Sequence, residues 1–158
     1  MAIPEFYKTI SQGSSGPDVG LIQQWLNAVR SSCTAYGPLE VDGKYGRGCA
    51  AAAKQFQAMR GLSADGIVGH KTWDALYQRF HEITGATVIY PGIVMHSGMS
   101  GAAVGELQHK LSQAGFACSA DGKYGAKTAA EVKLYQTSCG LKADGQVGKV
   151  TWECLFGE

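Results

Sequence analysis

The chain contains the same sequence pattern twice. Written from Asp42, the stretch DGKYGRGCAAAAKQFQAMRGLSADGIVGHKTWDAL aligns with DGKYGAKTAAEVKLYQTSCGLKADGQVGKVTWECL, written from Asp121, and 19 of the 35 positions are identical. Further upstream, GSSGPDVGLIQQWL aligns with GMSGAAVGELQHKL, and the offset grows from 79 to 85 residues because the first copy holds a six-residue insertion. A duplication of this kind predicts two copies of one small folding unit.

The repeat also predicts the domain organisation. We place an N-terminal linker at residues 1–11, a first module at residues 12–80, a second linker at residues 81–95 and a second module at residues 96–158. The second linker is expected to be extended. A module of this size buries little core, and three mutually packed helices are an economical way to bury it.

Apolar residues spaced three and four apart predict these helices. The first helix is indicated by Val19, Ile22, Leu26 and Val29, and in the second copy by Val104, Leu107, Leu111 and Ala114. The second helix is indicated by Ala50, Ala53 and Phe56, and by Ala129, Val132 and Tyr135. The third is indicated by Trp73, Leu76 and Phe80, and by Trp152, Leu155 and Phe156. Pro17 suits an opening turn, and Gly61 and Gly140 suit left-handed helix ends. The predicted fold class is all-α, with two repeated three-helix bundle modules joined by an extended linker.

The pattern Asp-Gly-x-apolar-Gly occurs twice in each module, each time just before a predicted helix. Its four copies begin at Asp42, Asp65, Asp121 and Asp144. The carboxylate can accept backbone N–H groups, the first glycine can adopt positive φ, and the apolar residue can enter the core. We therefore interpret these segments as structural turns rather than as catalytic acid–base pairs. A calcium loop is excluded because the alternating acidic ladder of an EF-hand is missing.

Charge and composition exclude several classes of partner. With 14 basic and 13 acidic residues the net charge is +1, and no basic run with interleaved aromatics indicates nucleic-acid binding. The longest apolar-looking stretch, residues 85–95, is too short to span a membrane. The first ten residues lack the features of a signal peptide. The chain is expected to be either cytoplasmic or a piece of an exported protein.

No residue pattern indicates a catalytic centre, a metal site or a cofactor. The five cysteines show no CxxC spacing, and because none has a cysteine at its repeat partner, a shared disulfide framework is not expected. The four histidines stand at non-equivalent positions of the repeat, and no HExxH motif is present. The one enzyme alternative is a papain-like hydrolase that pairs Cys49, near a helix start, with His70.

The ordered pattern V..LQ..L, then DG.YG..T..AV..FQ...GL..DG.VG..TW..L, resembles the peptidoglycan-binding domain found beside bacterial cell-wall amidases, endolysins and spore-cortex hydrolases. The second copy matches it at many positions, among them Leu107, Gln108, Tyr124, Thr128, Gln136, Gly140, Asp144, Thr151 and Trp152. The first copy matches equally around Asp65 and Trp73, and departs at Cys49, where the family usually has threonine, and in the inserted loop around residues 36–38.

This resemblance implies a small three-helix module that holds peptidoglycan and performs no chemistry. It implies no cofactor and no metal. The partner would be the glycan strand or the stem peptide of the polymer, and a hydrolase domain would belong to the same parent chain. The expected location is the cell wall or the extracellular space. Two linked modules would gain avidity on one polymer. The alternative is a protein-interaction or spacer role, docking to a cell-wall or spore-coat partner, and a minor alternative is a peptidase in which Cys49 and His70 cleave murein peptides.

Candidate ligand-binding residues lie mostly around the first Asp-Gly turn and on the second helix. They are Tyr45, Tyr124, Lys44, Lys123, Arg47, Lys127, Gln57, Gln136 and Trp25. The phenols could reach a ligand or staple the helix entrance, the cations could meet stem-peptide carboxylates or be solvated surface charges, and the glutamines could bind N-acetyl groups or tie down the turns. Trp25 aligns with Lys110, which indicates partial exposure and carbohydrate contact. Trp73 and Trp152 are expected in the core.

Overall fold

The computed structural model describes residues 8–30, 37–86 and 89–156. Within these ranges the chain forms six helices and no strand. The helices are α1 (Pro17–Val29), α2 (Arg47–Met59), α3 (His70–Thr84), α4 (Ala102–Gln113), α5 (Ala126–Ser138) and α6 (Lys149–Phe156). The first three form one module and the last three repeat it. The all-α prediction, with two three-helix modules, is confirmed.

The apolar faces predicted for the first helices pack into the core. In α1 all four predicted residues are buried, and Pro17 opens the helix as expected. In α4 the prediction holds for Val104, Leu107 and Leu111. It is wrong for Ala114, because α4 ends at Gln113 and Ala114 is its exposed C-cap. Trp73 and Trp152 are buried in the core, also as expected.

The partial exposure predicted for Trp25 is wrong. Its side chain is fully buried and lies edge-on against Trp73, with ring centroids 4.7 Å apart. Tyr77 and Phe80, further along the 15-residue helix α3, also pack against it, at centroid distances of 5.7 and 6.3 Å. In the second module α6 has only eight residues, and Lys110 occupies the equivalent place, with Nζ 5.9 Å from the Phe156 ring. The repeat alignment misled because the two third helices differ in length.

Both second helices end as their glycines predict. Gly61 and Gly140 have φ values of 73° and 75°, in the left-handed region. The next residue then donates its N–H back into the helix, Leu62 to the carbonyl of Gln57 and Leu141 to that of Gln136, each at 2.8 Å. This is the Schellman arrangement, which satisfies carbonyls that the helix end would leave free.

Each module is closed by the same pair of isolated bridges. Ile10 pairs with Val68 and Met95 with Val147, while Ser15 pairs with Lys44 and Ser100 with Lys123. Ile10 and Met95 are buried, although the repeat alignment assigns both to linkers. Helix α3 also continues past residue 80, the expected end of the first module. Each module therefore takes in chain that precedes its first helix.

Candidate functional site

Four glutamines hold the four Asp-Gly turns, one glutamine for each turn. Gln23 and Gln108, on the first helix of each module, hold the first turn, and Gln57 and Gln136, on the second helix, hold the second. In every case the side-chain oxygen accepts the N–H of the turn glycine at 2.8–3.0 Å. All four side chains are buried. The repeated sequence therefore forms the same hydrogen-bonded turn four times.

The amide nitrogen of each glutamine donates the remaining hydrogen bonds to the turn. It donates to the turn aspartate at 2.9–3.2 Å and to the carbonyl two residues further on at 2.8–3.0 Å. A third acceptor is the hydroxyl of Thr72, Thr128 or Thr151 at 3.0–3.2 Å. At the remaining turn the acceptor is Cys49 Sγ, 3.4 Å from Gln23 Nε2. The cysteine thus occupies the place of a threonine in this network.

The aspartates of these turns are structural acceptors. Each accepts the backbone N–H of the residue two positions later, as Asp42 does from Lys44 at 2.9 Å. These bonds hold the pKa of three turn aspartates below its usual value. The main cause is the Gln23 side chain at Asp42, the Lys123 N–H at Asp121 and the Gln146 N–H at Asp144. A lowered pKa suits a carboxylate that stays ionised and fixed, as the turn interpretation predicts.

The two candidate tyrosines connect the turns of one module. Tyr45 donates its hydroxyl to the Gly66 carbonyl at 2.7 Å, and Tyr124 does the same to Gly145 at 2.6 Å. Both side chains are buried, and burial raises the pKa of each phenol well above its usual range. The phenol ends therefore face the interior turn and not solvent.

The candidate residues thus fall into two groups. Tyr45, Tyr124, Gln57, Gln136 and Trp25 are buried, and the first four bind turns. The cations are exposed, with Arg47 and Lys127 in the opening turns of α2 and α5. Lys44 and Lys123 line adjoining pockets that share the segment 98–100, so the structure brings these two close to one surface.

A groove that the sequence did not indicate recurs in both modules, between the second Asp-Gly turn and the start of the third helix. Groove 1, about 530 Å³, is lined by Thr9, Gln57, Leu62, Asp65, Ile67, His70, Lys71 and neighbouring residues. Groove 2, about 390 Å³, is lined by Val94, Gln136, Leu141, Asp144, Gln146, Lys149, Val150 and neighbours including Lys142. These residues occupy equivalent positions of the repeat. Two equivalent grooves are what a duplicated binding module would need.

The grooves combine apolar surface with positive charge. Ile67 in groove 1 and Val94 and Val150 in groove 2 are among the most exposed large apolar side chains of the described chain, at 41, 44 and 62%. Groove 2 carries Lys142 and Lys149, and groove 1 carries Lys71. Ile67 and Val150 are not predicted as site residues from the sequence. Both are large apolar side chains that the fold leaves exposed, and that exposure is the signal that could have indicated the grooves.

Cys49 and His70, the residues of the peptidase alternative, have different surroundings. Cys49 is buried and its Sγ lies 3.7 Å from the Lys44 carbonyl. His70 opens α3, is largely exposed, and its Nδ1 lies 3.4 Å from Asp74. Cys118, Cys139 and Cys154 are free thiols like Cys49, while Cys33 and most of the inserted loop lie outside the described residues.

The described ranges hold neither a metal-binding cluster nor a helix that could span a membrane. Across residues 8–30, 37–86 and 89–156, no group of three or more His, Cys, Asp and Glu side chains is arranged to hold a metal ion. None of the helices in the same part of the chain has the length and hydropathy needed to cross a membrane.

Comparison with known proteins gives consistent matches. The family model of a peptidoglycan binding domain matches residues 15–76 and 100–155. The N-acetylmuramoyl-L-alanine amidase CwlL of Bacillus licheniformis is 33% identical over 159 residues, covering 90% of this chain and 43% of the amidase. The N-acetylmuramoyl-L-alanine amidase CwlM of Mycobacterium tuberculosis is 34% identical over 144 residues, covering 83% and 35%. The crystal structure of the SleB N-terminal domain, 32% identical, covers 48% of this chain and 99% of that domain with a TM-score of 0.41. The chain spans less than half the length of either amidase.

Proposed function

Because this chain belongs to the peptidoglycan-binding domain family, we propose that it binds bacterial cell-wall peptidoglycan through its two modules and does not cleave it. The observation that carries this proposal is the recurrence of one groove at equivalent positions of both modules. The rim residues differ between the copies, since Ile67 aligns with Gln146 and Val150 with Lys71, but each groove has exposed apolar surface beside a lysine, which is suited to a ligand rather than to the core.

The chemistry of the grooves favours the stem peptide over the glycan strand. Stem peptides offer carboxylates and small aliphatic side chains, and the grooves offer lysines beside exposed aliphatic residues. Lys142 and Lys149 give groove 2 two cations for such carboxylates. The opening turn of α3 adds backbone donors, since its N-cap Gly69 provides no side-chain hydrogen bond. The apolar rim would pack against peptide methyl groups.

The relatives suggest the setting of this activity. CwlL and CwlM are both amidases that extend well beyond the matched part. We infer that the two modules anchor a catalytic domain of the same parent protein to the wall, outside the cytoplasm. The peptidase alternative would require Cys49 and His70 to act together, and the buried Cys49 is instead part of a turn network.

Co-sedimentation with purified insoluble sacculi tests the proposal. We expect the chain to pellet, soluble muropeptides to release it, and no muropeptide to be liberated on long incubation. A chain that stays in the supernatant over a range of salt and pH would contradict wall binding and favour docking to a protein partner. Release of muropeptides by the chain, abolished by alkylating Cys49, would establish the peptidase instead.

Two charge-matched double variants locate the site. Lys142→Ala with Lys149→Ala removes both cations of groove 2, and Lys44→Ala with Lys123→Ala removes the same charge near the first turns. All four side chains are exposed, so folding should be unaffected. If groove 2 takes the carboxylates, only the first variant loses affinity. Loss only in the second would move the site to the first turns, and equal loss in both would indicate non-specific attraction.

A further inference from the structure

A carboxylate of the first module caps a helix of the second. Asp18, in the first turn of α1, is 5% exposed. Its Oδ2 accepts the N–H of Ala102 at 2.7 Å, and its Oδ1 accepts the N–H of Ala103 at 2.9 Å. These are the first two residues of α4, whose own N-cap is Gly101 and has no side chain to offer. Asp18 therefore does, from another module, what a capping residue normally does from within its own helix.

The two copies of the repeat differ in sequence at this contact. The position equivalent to Asp18 in the second module is Ala103, so only one copy supplies a carboxylate. The second copy supplies small residues: Ala102 and Ala103 are buried, and a Cβ placed on Gly101 would lie 2.6 Å from Asp18 Oδ2. The two surfaces are therefore complementary in charge, size and hydrogen bonding.

The linker strengthens the same contact. Gln24 on α1 donates to the Tyr90 carbonyl at 2.7 Å. Gly20, the fourth residue of α1, leaves room for the linker, because a Cβ there would lie 2.0 Å from the Pro91 carbonyl oxygen. On its other side Tyr90 meets Trp152 of the second module, with ring centroids 6.0 Å apart. Residues 89–93 are thus packed between the modules and do not form a free tether.

Because Asp18 is buried, its carboxyl group depends on its hydrogen-bond partners. Burial is the largest influence on the carboxyl and raises its pKa, while the two N–H groups and Lys8 act in the opposite direction. A buried carboxylate is expensive unless hydrogen-bonded, so its partners must stay in place. Both partners belong to the other module, and this ties the position of one module to the other.

We propose that Asp18 is a positioning residue that locks the two modules into one body and so fixes the separation and orientation of groove 1 and groove 2. The part of this proposal that concerns the ligand rests on the proposed function. Two sites held at one spacing select polymer segments that present two epitopes at that spacing. Flexibly joined sites would instead accept a broad range of spacings.

Hydrogen exchange in the whole chain tests the cap directly. The first N–H groups of a helix have no partner within it, so they normally exchange fast. We expect the amides of Ala102 and Ala103 to be protected, and those of Ala126 and Lys127, the exposed first two residues of α5, to serve as the unprotected reference. Asp18→Ala should expose both protected amides, and Asp18→Asn, with one acceptor left, should expose one.

Glu82→Ala, which removes an exposed carboxylate paired with Arg79, is the matched control. Unchanged exchange in both Asp18 variants would overturn the cap.

Backbone ¹⁵N relaxation tests the single body. The helices of both modules should share one rotational correlation time in the natural chain, and the times should fall toward that of a single module in Asp18→Ala. If Asp18→Ala does not fold, Asp18→Asn serves in its place. Independent tumbling of the modules in the natural chain would overturn the proposal, whether or not the chain binds the wall.

Binding to sacculi then separates this proposal from the proposed function. We expect Asp18→Ala to bind roughly tenfold more weakly, since a held geometry is lost while both grooves remain. Equal affinity of a variant with independently tumbling modules would overturn the role of the fixed spacing. A natural chain that tumbles as one body but never pellets with sacculi would contradict the proposed function and leave the locking of the modules intact.

Discussion

Each Asp-Gly turn is held by one buried glutamine, a polar side chain whose hydrogen bonds lie inside the module. Gln136 accepts the Gly145 N–H at 3.0 Å and donates to the carbonyl of Gln146 at 2.8 Å, so one side chain closes a whole turn. An amide is suited to this task because it both donates and accepts. Tyr124 then joins that turn to the first one. These hydrogen bonds fix the backbone of the turn that leads into α6.

Replacing this glutamine should destabilise the chain far more than its size suggests. In Gln136→Ala the buried Gly145 N–H and Thr151 hydroxyl lose their partner, and each unsatisfied buried group costs about 1–3 kcal/mol. We expect the free energy of unfolding, measured with urea, to fall by about 2–4 kcal/mol. Gln55→Ala on the exposed side of α2 is the control and should change it little. A small loss in Gln136→Ala would mean that water replaces the amide at no cost.

The sequence predicts contacts between residues that lie near each other in the chain. It does not predict contacts between residues that lie far apart in it. Gln57 and Gln136 recur directly after the aromatic residue of the second helix, and an amide there is predicted either to bind a ligand or to tie down the turns. Gln23 and Gln108, which do the same for the first turns from another helix, were not singled out. The burial of Trp25 depends on the length of α3, which its own segment does not reveal.

At the scale of the elements, the left-handed ends of the two second helices are predicted correctly. Gly61 and Gly140 were placed at left-handed positions from spacing alone, and both have that conformation. The rule works because only the backbone of a few consecutive residues decides it. Helix lengths were less accessible, since the end of α3 depends on packing against α1.

The left-handed ends allow a clean test of backbone strain. A Cβ at Gly61 or Gly140 would meet nothing within 4 Å, so alanine there would be strained only by its positive φ. We expect Gly140→Ala to lower the free energy of unfolding by about 1–2 kcal/mol in urea denaturation. Gly48→Ala lies inside α2, where the added Cβ would meet only Leu39 Cδ2 at 3.8 Å, and it should cost nothing or add stability. Equal effects of the two changes would contradict the strain argument.

At the scale of the whole molecule, the sequence predicts two repeated modules joined by an extended linker, and the structure shows two unlike modules in contact. Asp18 could not be assigned a partner from the sequence, because its hydrogen bonds reach residues 84 and 85 positions away in the other copy. The grooves were missed for a related reason. Each is assembled from the chain before the first helix, the second turn and the third helix, which meet only after folding.

The unlike cores of the two modules lead to a prediction about the order in which they open. The first module buries Trp25 against three aromatic side chains of a 15-residue helix, whereas the second has Lys110 at that place and an eight-residue α6. A buried tryptophan contributes about 4 kcal/mol by its apolar area. We therefore expect the slowest amides of α5 and α6 to show opening free energies at least about 2 kcal/mol below those of α1 and α3 in native-state hydrogen exchange.

The variant Trp25→Phe provides the matching control, because it shrinks the aromatic core of the first module while Trp73, Tyr77 and Phe80 remain to cover it. It should bring the opening free energies of α1 and α3 closer to those of α5 and α6 and leave the latter nearly unchanged. Equal protection of both modules in the natural chain, lost together on this substitution, would show instead that the docked pair unfolds as a single cooperative unit. In that case the contact through Asp18 would outweigh the difference between the two cores.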